Sequence, residues 1–132
     1  MAFLRAVSGT LKTKFPWDAY NNGTWNTKSV TVSYGTPQYI TCITSSPEIV
    51  SGTSLVATLT GSNLNRLALV AQVSLDGSTW SNIGTISYQS SVTFTINLNA
   101  YVGSKIYIRF KVENGYQSGT GTATLNTCIM DN

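Results

Sequence analysis

Runs of alternating apolar and polar residues, turn-forming pairs between the runs, and no stretch of helical period predict an all-β protein, built as a two-sheet sandwich or a barrel. At 132 residues the chain suits one domain. Folding at that size buries about two-thirds of the unfolded chain's surface, enough for a core without staples. Composition agrees. Charged residues are 10% against the usual quarter, while Thr, Ser and Asn supply 46 of the 132 residues. Thr suits strands, Asn and Ser suit turns, and the surface they imply is polar but uncharged.

In chain order, SVTVSY (29–34) and QYITCIT (38–44) open the strand series. SLVATLT (54–60) puts Leu55, Ala57 and Leu59 on one face. LALVAQVSL (67–75) does the same with Leu67, Leu69, Ala71, Val73 and Leu75, and TWSNIG (79–84) follows. SVTFTINL (91–98) sets Val92, Phe94, Ile96 and Leu98 against Thr93, Thr95 and Asn97. KIYIRFKV (105–112) turns Ile106, Ile108, Phe110 and Val112 one way and Tyr107, Arg109 and Lys111 the other. TATLNTCI (122–129) closes the series. Turn clusters separate these runs, among them LDGST (75–79) and NGYQSGTG (114–121), whose Asp76-Gly77 and Asn114-Gly115 pairs are tight-turn chemistry. The count is about eight strands.

Catalytic chemistry is not written here. The chain has no His, so neither a Ser-His-Asp nor a Cys-His constellation can form. Asp76 and Glu113 read as solvated turn residues rather than the paired carboxylates of a glycosidase. The GTG of YQSGTGTATL enters a strand, so it offers an anion no helix terminus. The five acidic residues are scattered, which excludes a carboxylate-rich calcium loop, and Cys42 and Cys128 alone are not a zinc ligand set. No cofactor is expected. Arg5 interrupts the apolar run of MAFLRAVSGTLKTKF, so no secretory signal is expected, and no run approaches the ~18 apolar residues of a membrane helix. Without a secretory route, Cys42 and Cys128 are expected as packed thiols. The alternative is a bridge between the first and last body strands, worth about 4–5 kcal/mol on the loop-entropy model.

AQVSLDGSTWSNIGT, then FTINLNAYVGSKIYIRFKV, then a last strand ending in IMDN, together resemble galactose-binding-like and MAM-like domains over about residues 47–131. The resemblance implies a jelly-roll β-sandwich of about eight antiparallel strands and places Trp80 in the core. It also implies carbohydrate binding or adhesion. On that reading Tyr107 and Arg109 would meet a glycan together with the loop aromatics Tyr88, Tyr101 and Tyr116. Lys111, Gln72, Thr93 and Thr95 would complete a polar face on neighbouring strands.

Residues 1–35 fall outside the resemblance and read as an extended N-terminal arm with the first strand, ahead of a jelly-roll domain at 36–132. Arg5, Lys12, Lys14 and Lys28 against Asp18 place the whole net charge of +3 on residues 1–28. FPWDAYNNGTW adds Phe15, Trp17, Tyr20 and Trp25, and Phe3 lies upstream. Four basic residues among aromatics are too few for nucleic acid. A basic, aromatic-dotted arm on a neutral β body resembles phage capsid decoration (cement) proteins, whose arms lie across neighbouring shell subunits. The expectation is therefore a non-enzymatic virion structural protein on the capsid surface, made in the host cytoplasm and trimeric. It would grip the major capsid protein or other virion subunits through Phe3, Arg5, Lys12, Lys14, Phe15, Trp17, Tyr20 and Trp25. The alternative is a carbohydrate-binding module or a tail-associated receptor-binding protein.

Overall fold

The computed structural model describes residues 12–14, 27–41, 54–104 and 106–131, with residues 12–14 and 129–131 by backbone alone. Among the described residues there are nine strands: β1 (Lys12–Lys14), β2 (Ser29–Ser33), β3 (Gln38–Thr41), β4 (Ser54–Thr60), β5 (Leu67–Ser74), β6 (Ser81–Ser87), β7 (Val92–Asn97), β8 (Tyr107–Asn114) and β9 (Thr120–Asp131). Among the described residues the helical pieces are two 3₁₀ turns, Leu64–Arg66 and Asn99–Tyr101.

The pairing is nested. β2 pairs with β9, β3 with β8, β4 with β7 and β5 with β6, all antiparallel. Two further ladders, β4 with β9 and β5 with β8, fuse the nested hairpins into sheets. One sheet runs β9-β4-β7, with β1 and β2 sharing the far edge of β9; the other runs β3-β8-β5-β6. Folding nested hairpins over so that they alternate between two sheets is the jelly-roll architecture. β2 lies within the stretch read from sequence as arm and first strand, and its five residues are in register with Thr120–Thr124 of β9.

The core lies between the sheets because each strand alternates. Leu55, Ala57 and Leu59 of β4, Leu67, Leu69, Ala71 and Val73 of β5, and Ile108, Phe110 and Val112 of β8 are all buried. Phe94 of β7 meets Phe110 across the sandwich with ring centroids 5.5 Å apart. Leu75 departs from the pattern and is 62% exposed, because β5 ends at Ser74 and the turn takes over. β6 begins at Ser81 rather than at the Thr79 expected from sequence. Residues 75–80 belong to a loop organised by Asp76, whose Oδ1 accepts hydrogen bonds from the backbone N–H of Ser78 and Thr79. Cys128 is buried in the core, while Cys42 lies outside the described residues.

Asn114 ties three segments together. Its Nδ2 donates to the carbonyls of Val32 at 3.0 Å and Gly119 at 3.3 Å, and its Oδ1 accepts from the Tyr116 amide at 2.8 Å. The side chain and its bond to Val32 are buried, so removing it leaves that carbonyl without a partner. Asn114→Leu is expected to cost about 2 kcal/mol, seen as a fall in Tm of roughly 8 °C in thermal unfolding.

Candidate functional site

The outward face of the β3-β8-β5-β6 sheet carries a connected polar and aromatic cluster. Register sets its middle row: Thr41 faces Arg109, Arg109 faces Gln72, and Gln72 faces Asn82. Within this row Arg109 Nε donates to Gln72 Oε1 at 2.7 Å, and Gln72 Nε2 donates to Asn82 Oδ1 at 2.9 Å. Gln72 is only 8% exposed, so its amide is held in one orientation with the oxygen turned to the guanidinium.

Two rings lie against the same guanidinium. The Arg109 Cζ lies 4.3 Å from the Tyr39 ring centroid and 4.2 Å from that of Trp80. Cation–π contacts at these distances, partly desolvated, contribute on the order of 1 kcal/mol each. Burial draws the Arg109 pKa below its usual range, with Tyr39 acting in the opposite direction, and the group remains a cation. Both rings keep part of their surface in solvent. Trp80, expected in the core, therefore lies on the outside. It precedes β6 by one residue and has the parity of Asn82, so the pleat turns it outward beside Arg109.

Of the residues expected at a glycan site, Tyr107 and Arg109 share this face, Tyr107 lying over Gly77 of the adjoining turn. Lys111 is also on it and pairs with Glu113 at 3.5 Å. Thr93 and Thr95 are not neighbours of the face: they belong to β7 and point outward from the opposite sheet. Tyr88 and Tyr116 meet at one end of the sandwich, edge to face with centroids 5.9 Å apart. There the Arg66 Cζ lies 5.4 Å from the centre of the Tyr116 ring, and its Nη1 donates to the Ser118 carbonyl. Tyr101 sits at the other end, partly packed on the core, and lines a cleft of about 330 Å³ with Val73, Asp76 and Thr79. The candidates thus fall in four places. Of the arm residues, Lys12 and Lys14 are in β1, which pairs with β9 of the same chain. Phe3, Arg5, Phe15, Trp17, Tyr20 and Trp25 lie outside the described residues.

Tyr39 and Trp80 were not among the site residues anticipated, although the pleat would have found both. In QYITCIT the inward place of Ile40 sends Tyr39 outward, and in TWSNIG the polar Asn82 marks the outward parity that Trp80 shares.

Asp76 orders the 75–80 loop that carries Trp80. Its Oδ1 accepts from Ser74 Oγ at 2.9 Å besides the two backbone amides. The backbone bonds from Thr79 and Ser78, then the Ser74 hydroxyl, lower its pKa from the usual 3.8 to about 2. A carboxylate depressed on folding stabilises the fold above its unfolded pKa and loses that contribution as pH falls through the folded one. The 75–80 loop should therefore hold at pH 5 and loosen between about pH 4 and pH 2. An NMR titration following the Ser78 and Thr79 amides should give a midpoint near 2, and a midpoint near 4 would remove these bonds from the account.

No family model matches the chain, and no curated protein does. Solved structures are similar to it in shape. A glycoside hydrolase domain structure of Endo-D from Streptococcus pneumoniae R6 aligns with TM-score 0.55 at 17% identity, over 93% of this chain and 20% of that one, so this chain spans one-fifth of its length. A mitogen derived from Yersinia pseudotuberculosis aligns with TM-score 0.49 at 15% identity, over 81% of this chain and 84% of that one. TmCBM61, a carbohydrate-binding module solved with β-1,4-galactotriose, aligns with TM-score 0.44 at 12% identity, over 80% of this chain and 66% of that one. At these identities the likeness is one of fold.

Proposed function

We propose that this chain is a non-catalytic carbohydrate-binding domain that holds a glycan on the outward face of the β3-β8-β5-β6 sheet. The observation that carries the reading is the Tyr39–Arg109–Trp80 stack joined to the Gln72–Asn82 amide pair. Aromatic rings give a sugar's C–H face an apolar surface, while amides and guanidinium N–H groups answer its hydroxyls. Here the polar groups are already fixed by one another, so little side-chain entropy is lost when a ligand settles on them. The fold shared with part of the Endo-D glycoside hydrolase structure is compatible with that use. The capsid-decoration reading depends on residues 1–28, most of which lie outside the described part of the chain, so the sheet face carries the stronger argument.

A glycan array followed by titration calorimetry on its hits tests the reading. Saturable binding is expected. Trp80→Ala should weaken it at least ten-fold, about 1.4 kcal/mol, while the melting temperature stays within a few degrees. Tyr116→Ala, at the end of the sandwich, should bind like the parent chain. Silence across the array, or an unchanged Kd in Trp80→Ala, would overturn the proposal.

A further inference from the structure

Resting on that reading, we infer that the glycan is acidic, and that Arg109 selects it by taking a sugar carboxylate on the free edge of its guanidinium. The group has two flat faces and five N–H donors. The Tyr39 and Trp80 rings each lie within 4.3 Å of its Cζ, and Nε is spent on Gln72 Oε1 at 2.7 Å. What remains is the edge formed by Nη1 and Nη2, and neither nitrogen has an acceptor among the described residues.

Charge points the same way. Among the described residues Arg109 has no carboxylate partner, and Glu113, four residues further along β8, is engaged by Lys111 at 3.5 Å. A partly buried cation flanked by rings and answered only by a neutral amide keeps its charge uncompensated. An anion arriving from solvent supplies the missing charge. The two N–H groups on the open edge are parallel and coplanar, which matches the two oxygens of a carboxylate in a fork. An ammonium has no such geometry. Gln72 reinforces the arrangement: its own N–H is held by Asn82, so its oxygen stays on Nε and the guanidinium cannot swing to present another edge. The rings, partly exposed beside that edge, are placed to meet the apolar side of the same sugar.

The test uses matched pairs that differ in the carboxylate: polygalacturonate and its full methyl ester, 3′-sialyllactose and lactose, glucuronoxylan and unsubstituted xylan. Titrations are run on the full chain at 50 and 500 mM salt. At least one acidic member should bind ten-fold or more tighter than its neutral counterpart, and high salt should narrow that gap several-fold. Arg109→Gln should abolish the preference. Arg109→Lys, which keeps the charge and loses the fork, should lose most of it. Equal binding of both members in every pair that binds overturns the acidic selectivity and leaves the carbohydrate reading standing. Binding of neither member in any of the three pairs overturns the acidic selectivity, and the carbohydrate reading falls with it where the array is silent as well. A preference that survives intact in a folded Arg109→Gln overturns the assignment to Arg109. The pairs on the unmodified protein keep the inference open to refutation even where a variant fails to fold.

Discussion

Gly61→Ala should prevent the domain from reaching its native state. Gly61 follows β4 where the chain passes over the start of β9. A Cβ built there would collide with the Thr122 carbonyl oxygen and lie 2.6 Å from its carbon. Neither neighbour can yield. Thr122 is in register with Thr31 of β2, and its amide donates to the Ser62 carbonyl at 2.8 Å, so both edges of β9 are committed at that residue. Overpacking against flexible side chains costs about 1–3 kcal/mol, and a collision of backbone with backbone should cost more. The expected result is an insoluble chain, or one without the cooperative unfolding of the parent. Gly35→Ala is the contrasting substitution. Gly35 has φ near +80° and nothing within 4 Å of a Cβ, so the cost is that of a left-handed residue alone, about 1–2 kcal/mol. If Gly61→Ala melted like Gly35→Ala, the close passage of β4 over β9 would be wrong.

The fold was legible because strands report their own faces. Every strand expected from alternation is present, and the inward residues of β4, β7 and β8 are those that period two picks out. Legibility failed where the period slips. In β9 the register against β4 shifts past Asn126, so the buried positions change from Ala123 and Leu125 to Cys128, and no single alternation describes the strand. A similar shift at Ile83 lies between Gly84, which faces Ala71, and Asn82, which faces Gln72. Placing the site demanded knowledge of which strands are neighbours, and that is a property of pairing rather than of any one run. Tyr107 and Arg109 could be read as outward from β8 alone. Their company could not, since Gln72, Asn82, Tyr39 and Trp80 arrive from three other segments, whereas Thr93 and Thr95, equally outward in sequence, are carried to the opposite sheet.

The site and the core are coupled through β8, which makes Phe110→Ala the second large effect. Phe110 is 1% exposed, packs against Phe94, and lies in the ladder between Ile40 of β3 and Ala71 of β5. Truncating a buried phenylalanine costs about 3–5 kcal/mol, because the lost transfer energy is joined by a cavity that the surroundings only partly fill. For a chain of this size that is a fall in Tm of roughly 12–20 °C. The neighbouring residue in sequence is Arg109, on the other side of the same strand. A strand that sinks toward a cavity should carry Arg109 away from Tyr39 and Trp80. On the proposed carbohydrate-binding reading, Phe110→Ala, measured well below its melting temperature, is therefore expected to bind glycan more weakly as well as unfold earlier. Phe110→Leu fills most of the volume and should recover the binding while still losing stability. Full affinity in a destabilised Phe110→Ala would mean that the guanidinium stack holds its own geometry, independent of the core beneath it.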